Sequence, residues 1–355
     1  MAAIAAPARQ GLTPRWRVPL LLLGFLCLVA GVTGGLARVG FGALAVIEPS
    51  AGLHGVLMVC GFFGTVISLE RAVALERAWG YAAPLASGAG GIALLSGATA
   101  PGLWLLAVGA GILVAASLVF VWRRASLEGG ALATAAGCWL VGNVLLALGA
   151  PPAGILGWWI AFFALTIGAE RLELSRYLPR PRSAIWLFAA IAVALVAAAM
   201  GPLRFTGIAL VALAAWLLAY DLAWQTVRGS GLARYIAVCL LAGYAWLALG
   251  GALFAIDGGY DTAVHAVLVG FVFSMVFGHA PVIVPAVLRR ALPYTPWFYV
   301  PLALLHGSLA LRVAGGLAGE QAIRGAGSIG NALAIALFIA TAAAQALRPP
   351  VRRIP

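Results

Sequence analysis

Long apolar stretches constrain this chain more than any other feature of its sequence. Segments of roughly 20 residues with almost no charged side chain follow one another, separated by short loops that carry Gly, Pro and Arg. About 20 apolar residues in a helix cross the hydrocarbon core of a bilayer, which is longer than the helices of most soluble cores. The stretches are continuously apolar and do not alternate, so we expect membrane-spanning helices and not the strands of a barrel.

The low content of charged residues excludes a soluble domain. Only 9% of the residues are charged and 64% are hydrophobic, whereas a soluble protein has roughly 25% charged residues. The chain therefore needs a lipid bilayer around it. The 22 basic residues are all Arg and lie in short clusters between apolar stretches, without the interleaved aromatic residues of a nucleic-acid surface. We expect no nucleic-acid partner.

The apolar stretches predict an all-α membrane protein with about twelve transmembrane helices. A tail at residues 1–17, one transmembrane domain at residues 18–346 and a second tail at residues 347–355 account for the chain. The predicted spans are residues 18–37, 51–70, 81–98, 102–122, 130–149, 153–171, 184–201, 204–222, 233–255, 262–287, 297–315 and 323–346.

The distribution of Arg tests this number of spans, because loops on the cytoplasmic side of a membrane are enriched in basic residues. With a cytoplasmic N-terminus, 18 of the 22 Arg residues fall on the cytoplasmic side. The other four belong to the outer side: Arg38, Arg204, Arg312 and Arg324. One miscounted helix would exchange the sides of every later loop, so we predict twelve spans and two cytoplasmic termini.

An internal repeat is visible at the ends of three spans. Span 2 ends in Glu70-Arg71, span 6 ends in Glu170-Arg171, and span 10 ends in Arg289-Arg290 without the Glu. Three repeats of four helices is the simplest description. The alternative is that acidic and basic neighbours merely snorkel at helix ends.

Two of the four histidines form a candidate site. His54 and His265 each lie about four residues inside the outer ends of spans 2 and 10, so they share a depth near the outer face. Ionisable residues within a membrane are costly and mark functional sites by default. Two neutral imidazoles that face each other across a gap can ligate haem iron from both sides, and we expect haem b here. The alternative is two interfacial histidines bonded to water or headgroups.

The other two histidines form a second candidate set. His279 and His306 are predicted at a similar depth near the middle of the membrane, and Met275 precedes His279 by four residues on one helix face. Two imidazoles and a thioether could hold copper. The alternative is that Met275 fills a packing gap and each His bonds a neighbouring helix. Pro281 and Pro285 follow on the same span and predict a broken helix that lines a cavity or cofactor. The alternative is that the two prolines merely kink the end of the span.

The carboxylate residues give little further evidence about the function. Asp257 and Asp261 fall in the outer loop before His265. They either accept a hydrogen bond from that imidazole or, as we expect, lie in a solvated loop. No predicted span carries a carboxylate at its centre, which disfavours an ion-coupled transporter.

Three segments resemble the NnrS family of haem- and copper-associated bacterial membrane proteins. H-G-V-L-M-V-C-G-F at residues 54–62 resembles H-x-H-E-M-x-x-G-F of that family. G-Y-A-W-L at residues 243–247 is similar to the family's G-Y-A-W-L segment, and H-A-V-L-V-G at 265–270 followed by G-H at 278–279 resembles H-A-L-T-x-G…G-H. The resemblance implies a multi-pass protein of the bacterial inner membrane that binds haem or other metal. It also implies a role connected with nitric oxide tolerance or denitrification.

Two departures limit what the resemblance implies. Val56 and Leu57 stand where the family pattern has a second His and then Glu. The predicted arrangement of spans is also similar to that of the main subunit of haem–copper oxidases. Those oxidases have twelve helices and carry haem ligands on the second and the tenth. The present chain has no histidine on spans 6 and 7, where those oxidases bind copper. Reduction of oxygen or nitric oxide at a two-metal centre is therefore not expected.

The sequence leaves three functions open. The leading expectation is a haem-binding protein with His54 and His265 as axial ligands and a redox partner or respiratory complex beside it. A transporter or permease without a cofactor is the second, and an accessory protein of a respiratory oxidase is the third. Whether the chain is an enzyme stays open.

Overall fold

The computed structural model describes residues 11–44, 50–175 and 181–347. Most of the two predicted tails and the Pro179-Arg180 part of one loop lie outside these residues. Every regular element within the described residues is helical, as the continuous apolar stretches predict. The helices of more than ten residues are α1 (Pro14–Arg38), α2 (Ser50–Leu75), α3 (Ala82–Leu95), α4 (Thr99–Arg123), α5 (Leu127–Ala147), α6 (Pro152–Leu174), α7 (Arg182–Ala198), α8 (Leu203–Tyr220), α9 (Gly231–Ala255), α10 (Tyr260–Leu288), α11 (Tyr299–Ala318) and α12 (Gln321–Ala346).

Ten of these helices, counted over the described residues, are long and apolar enough to cross a membrane. The other two are shorter, since α3 has 14 residues and α7 has 17. Each predicted span overlaps one of these helices. The polypeptide is therefore a membrane-embedded helical protein with at least this set of membrane-length helices.

The interior is built around α6. Of its most apolar stretch, 78% is buried inside the protein. Phe162 and Phe163 of α6 pack against each other, and Phe163 packs edge-on against Phe63 of α2 at 5.0 Å between ring centroids. Phe162 also stacks on Trp139 of α5. Because α6 is buried on nearly all sides, it lies at the centre of the bundle.

Helices α2 and α10 meet through aromatic side chains. Phe273 of α10 lies 6.2 Å from Phe62 and 5.1 Å from Phe63, measured between ring centroids. All three rings are buried. This contact holds the two helices that carry His54 and His265 side by side.

Both helices contain a π-helical segment shortly after their histidine, which begins three residues after His54 and one residue after His265. This segment spans Leu57–Phe63 in α2 and Ala266–Phe273 in α10. Hydrogen bonds from i to i+5 are rare and are found mostly at functional sites. The proline-containing part of α10 behaves differently from the expectation, because the helix continues through Pro281 and Pro285 to Leu288. The predicted break at these prolines is wrong.

Candidate functional site

The His54 and His265 rings lie close together at neighbouring ends of α2 and α10, with their planes nearly parallel. Their ring centroids are 6.2 Å apart and their ring planes differ by 11°. Two imidazole nitrogens bound to one metal ion, each at about 2 Å, would put the ring centroids about 6 Å apart. The structure thus brings together the two histidines that the sequence pairs by depth, at a separation that suits one shared ion.

Each of the two rings is held by a backbone carbonyl group. His54 Nδ1 lies 2.6 Å from the carbonyl oxygen of Gly31, and His265 Nδ1 lies 2.7 Å from that of Asp261. A carbonyl oxygen only accepts hydrogen bonds, so in both rings Nδ1 carries the proton and Nε2 carries the lone pair. A metal-binding histidine is oriented in the same way by a hydrogen bond from its other nitrogen.

The Nε2 atoms of His54 and His265 have no hydrogen-bond partner among the described residues. Arg312 Nη2 approaches His265 Nδ1 to 3.3 Å, but a guanidinium only donates and Nδ1 already carries a proton. This approach is therefore a contact and not a hydrogen bond. Both rings therefore keep on Nε2 a lone pair that no described residue engages.

A polar network surrounds His265. Arg312 Nη2 donates to both carboxylate oxygens of Asp261, at 3.2 and 3.1 Å, and Arg312 Nη1 donates to Ser328 Oγ at 2.7 Å. Asp261 Oδ1 also lies 3.3 Å from His265 Nδ1. Asp261 is in the first turn of α10 and not in a solvated loop, so the expectation for this residue is wrong. Asp257 is exposed at the preceding turn, as expected.

The gap between the histidines opens into a cavity of about 70 Å³. Its walls come from α1, α2, α10, α11 and α12 and are mainly apolar, although Ser328 and Asn331 add uncharged polar groups beside the two histidines. The charged lining residues are Arg38, Asp261 and Arg312. The cavity therefore has an apolar body and one positively charged edge.

Gly35 lets α1 approach the His54 ring. A Cβ atom at this position would lie 2.7 Å from Cε1 and Nδ1 of His54, closer than real Cβ contacts. Only glycine leaves room for the imidazole at this distance. The sequence does not distinguish Gly35 from the other glycines. Many glycines in this chain serve close helix packing, and none stands out by its neighbours in sequence.

His279 lies in a different environment. Its Nδ1–H donates to the carbonyl oxygen of Met275 at 2.7 Å, and its Nε2 accepts from Arg171 Nη2 at 3.2 Å. Arg171 is buried, so its side chain does not snorkel to the surface as expected. Both nitrogens of His279 are occupied by protein groups.

His306 is likewise satisfied by its neighbours. Its Nδ1 accepts from Trp246 Nε1 at 3.0 Å, and its Nε2–H lies 3.4 Å from Ser274 Oγ. Met275 is buried against Gly243. In this arrangement neither His279 nor His306 offers a free nitrogen, and a copper ion between them would need these hydrogen bonds to break. Across the described residues, no group of three or more His, Cys, Asp or Glu side chains converges on a point where a metal ion would sit.

Comparison with known proteins identifies a family but no function. The family described as a domain of unknown function (DUF8744) matches residues 17–347, which include all four histidines. No curated protein matches the chain.

Proposed function

The chain belongs to the DUF8744 family, and we propose that it is an integral-membrane haem protein in which His54 and His265 ligate one haem b iron. The observation that carries the proposal is the pair of imidazoles at 6.2 Å with both Nε2 lone pairs unused. Both rings are half-buried and line one cavity, and a shared metal ion would give each unpartnered Nε2 atom a bond.

Residues of this chain would hold such a ligand in a defined way. The carbonyl groups of Gly31 and Asp261 fix the tautomer of each histidine, so that Nε2 would be the atom that binds the ion. The helices that carry the rings are held by Phe273 against Phe62 and Phe63. Haem bound by two imidazoles supplies reversible one-electron oxidation and reduction.

Both axial positions are taken by histidine in this proposal, which favours electron transfer over binding of a gas at the metal. The resemblance to the NnrS family supports a role near nitric oxide tolerance or denitrification, and the chain would then serve such a process as an electron carrier. A redox partner or respiratory complex at the same face of the membrane is part of this proposal.

The cavity can admit a flat ligand between two helices. Its walls on one side are α1 and α12, and α12 packs mainly on α11 and only lightly on α1. A porphyrin is larger than the enclosed 70 Å³, so it would extend between α1 and α12. The apolar lining of this region suits the body of a porphyrin.

We propose that the chain crosses the bacterial inner membrane twelve times, with both termini in the cytoplasm. The asymmetric distribution of Arg supports this topology. The arrangement as three repeats of four helices is supported by the equivalent π-helical turns of α2 and α10. Helix α6, in the third equivalent place, is α-helical throughout.

A single copper ion between His54 and His265 is the second candidate. The small enclosed volume of the cavity favours it, because a bare ion fits without moving α1 or α12. Imidazole nitrogens suit copper, and Met58 also lines the cavity. The two candidates differ in optical absorption and in metal content.

The test is the optical spectrum and the metal content of detergent-purified protein. We expect a haem b spectrum in the wild type that His54→Ala and His265→Ala each abolish, with stoichiometric iron. His279→Gln is the matched control, since it also changes a histidine of α10 but should keep the spectrum. Copper without haem would support the second candidate. A folded protein with neither would contradict both and favour a transporter.

A further inference from the structure

Arginine residues predicted for the outer side of the membrane collect at the histidine pair. Arg38 and Arg312 line the cavity. Arg324 lies one helical turn before Ser328, the residue that accepts a hydrogen bond from Arg312. Thus two of the four Arg residues predicted for the outer side line a single site and a third lies one helical turn from it, although outer loops otherwise avoid Arg.

The charges of the cavity wall do not balance. Arg38 and Arg312 each carry one positive charge, Asp261 carries one negative charge, and the two histidines are neutral in the tautomer described above. Among the described residues the wall therefore carries one positive charge in excess, and the exposed Arg38 can offer it to a ligand. Such a wall repels a bare cation and attracts an anionic group.

The guanidinium groups also have unused donors. Arg312 is buried, with two of its nitrogens bonded to Asp261 and Ser328, and its Nε has no hydrogen-bond partner among the described residues. Arg38 is exposed and makes one long bond of 3.4 Å to the carbonyl oxygen of Ala51. Carboxylates are the groups that guanidinium donors recognise best.

We propose that Arg38 and Arg312 form a carboxylate-binding site at the outer edge of the cavity, so that the ligand held by His54 and His265 carries acid groups along one edge. The inference rests on the proposed haem function and sharpens it. Haem b has an apolar body and two acid groups on one edge, which matches the apolar walls and the charged end. A bare copper ion has no group for this site.

The experiment compares haem with its dimethyl ester, in which both acid groups are capped. The probe ligands are titrated into full-length apoprotein purified in detergent from cells that cannot make haem, and binding is followed by absorbance. We expect the wild type to bind haem at least about tenfold more tightly than the ester, equivalent to about 1.4 kcal/mol.

Substitutions assign this preference to residues. Arg38→Gln and Arg312→Gln should each reduce the preference for haem over its ester, whereas Arg204→Gln should keep it. Arg204 is the matched control because it is the remaining outer Arg, is exposed and contacts Phe205. The buried Arg312→Gln variant is not needed for the test if it fails to fold. The Arg38→Gln variant and the wild-type comparison of haem with its ester then decide whether the carboxylate site exists.

Each outcome has a separate meaning. Equal affinities for haem and ester in the wild type, or a preference unchanged by Arg38→Gln and by a folded Arg312→Gln, would overturn the carboxylate site and leave haem binding intact. Absence of binding for both ligands would overturn the proposed function together with this inference.

Discussion

The Nδ1–H groups of His54 and His265 decide the chemistry that the two rings can perform. Each donates to a main-chain carbonyl group, so the free lone pair is on Nε2 in both rings. In His279 and His306 both nitrogens are bonded to protein groups. The four histidines of the chain therefore separate into two candidate ligands and two that link helices.

Gly35→Ala tests the position of His54. The added Cβ would meet the imidazole at 2.7 Å, so the ring must move away from its place opposite His265. Overpacking of this kind costs about 1–3 kcal/mol, and we expect haem affinity to fall by about tenfold or more. Titration of the apoprotein with haem measures the change.

Gly52→Ala is the control for this substitution. Gly52 lies half a turn before His54 in the same helix, and a Cβ atom there would meet nothing within 4 Å. Its affinity for haem should match that of the wild type. Equal affinities of the Gly35→Ala and Gly52→Ala proteins would contradict the close packing described for His54.

At the level of residues the sequence predicts the histidine pair but not its surroundings. The depth of His54 and His265 follows from their distance to the ends of apolar stretches, which is a property of the sequence. The contacts of Arg312 with Asp261 and Ser328 join residues 51 and 16 positions apart. Such contacts depend on how helices rotate and pack, and neither is encoded in the local pattern.

Phe273 makes the helix–helix contact on which the candidate site depends. It joins α10 to α2 through Phe62 and Phe63 and also lines the cavity. Because the histidines lie on these two helices, their separation depends on this packing. A loss of the contact should therefore affect stability and ligand binding together.

Phe273→Ala is expected to lower the free energy of unfolding by about 3 kcal/mol, the usual cost of deleting a buried phenyl ring. It should also weaken haem binding, since α2 and α10 lose the aromatic part of their contact. Thermal unfolding in detergent and haem titration measure the two effects. Phe205→Ala is the control, because Phe205 is 47% exposed and should change stability by less than about 0.5 kcal/mol. Similar melting temperatures for both variants would argue against a structural role of Phe273.

The positions of the helices follow from the sequence, but their internal geometry does not. Apolar length and flanking Arg fix where each helix lies, so every predicted span overlaps an observed helix. The π-helical turns of α2 and α10 have no composition that sets them apart from ordinary helix. Pro281 and Pro285 show the converse, because a strong local signal for a break is overridden by packing within the bundle.

The whole molecule combines ten membrane-length helices, counted over the described residues, with the shorter helices α3 and α7. Whether these two helices cross the membrane determines the sides of the loops between them. The proposed twelve spans require both to cross. The concentration of Arg in every second loop supports that arrangement.

Cysteine labelling in intact cells tests the topology. Ser96→Cys and Met200→Cys place a thiol just after α3 and α7, at exposed positions, and both should react with a membrane-impermeant maleimide added from outside. Ser230→Cys, exposed before α9, should react only after the cells are opened. The four native cysteines are buried, so their background should be small. An unreactive Ser96→Cys or Met200→Cys protein in intact cells would mean that the preceding helix does not cross.

Electron paramagnetic resonance of the oxidised, purified protein tests most directly whether His54 and His265 bind one iron. We expect a low-spin ferric signal typical of two imidazole ligands in the wild type. His265→Ala and His54→Ala should each replace it with a high-spin signal or remove it, while His279→Gln should leave it unchanged. A wild-type low-spin signal that persists in either of the two alanine variants would contradict the shared site.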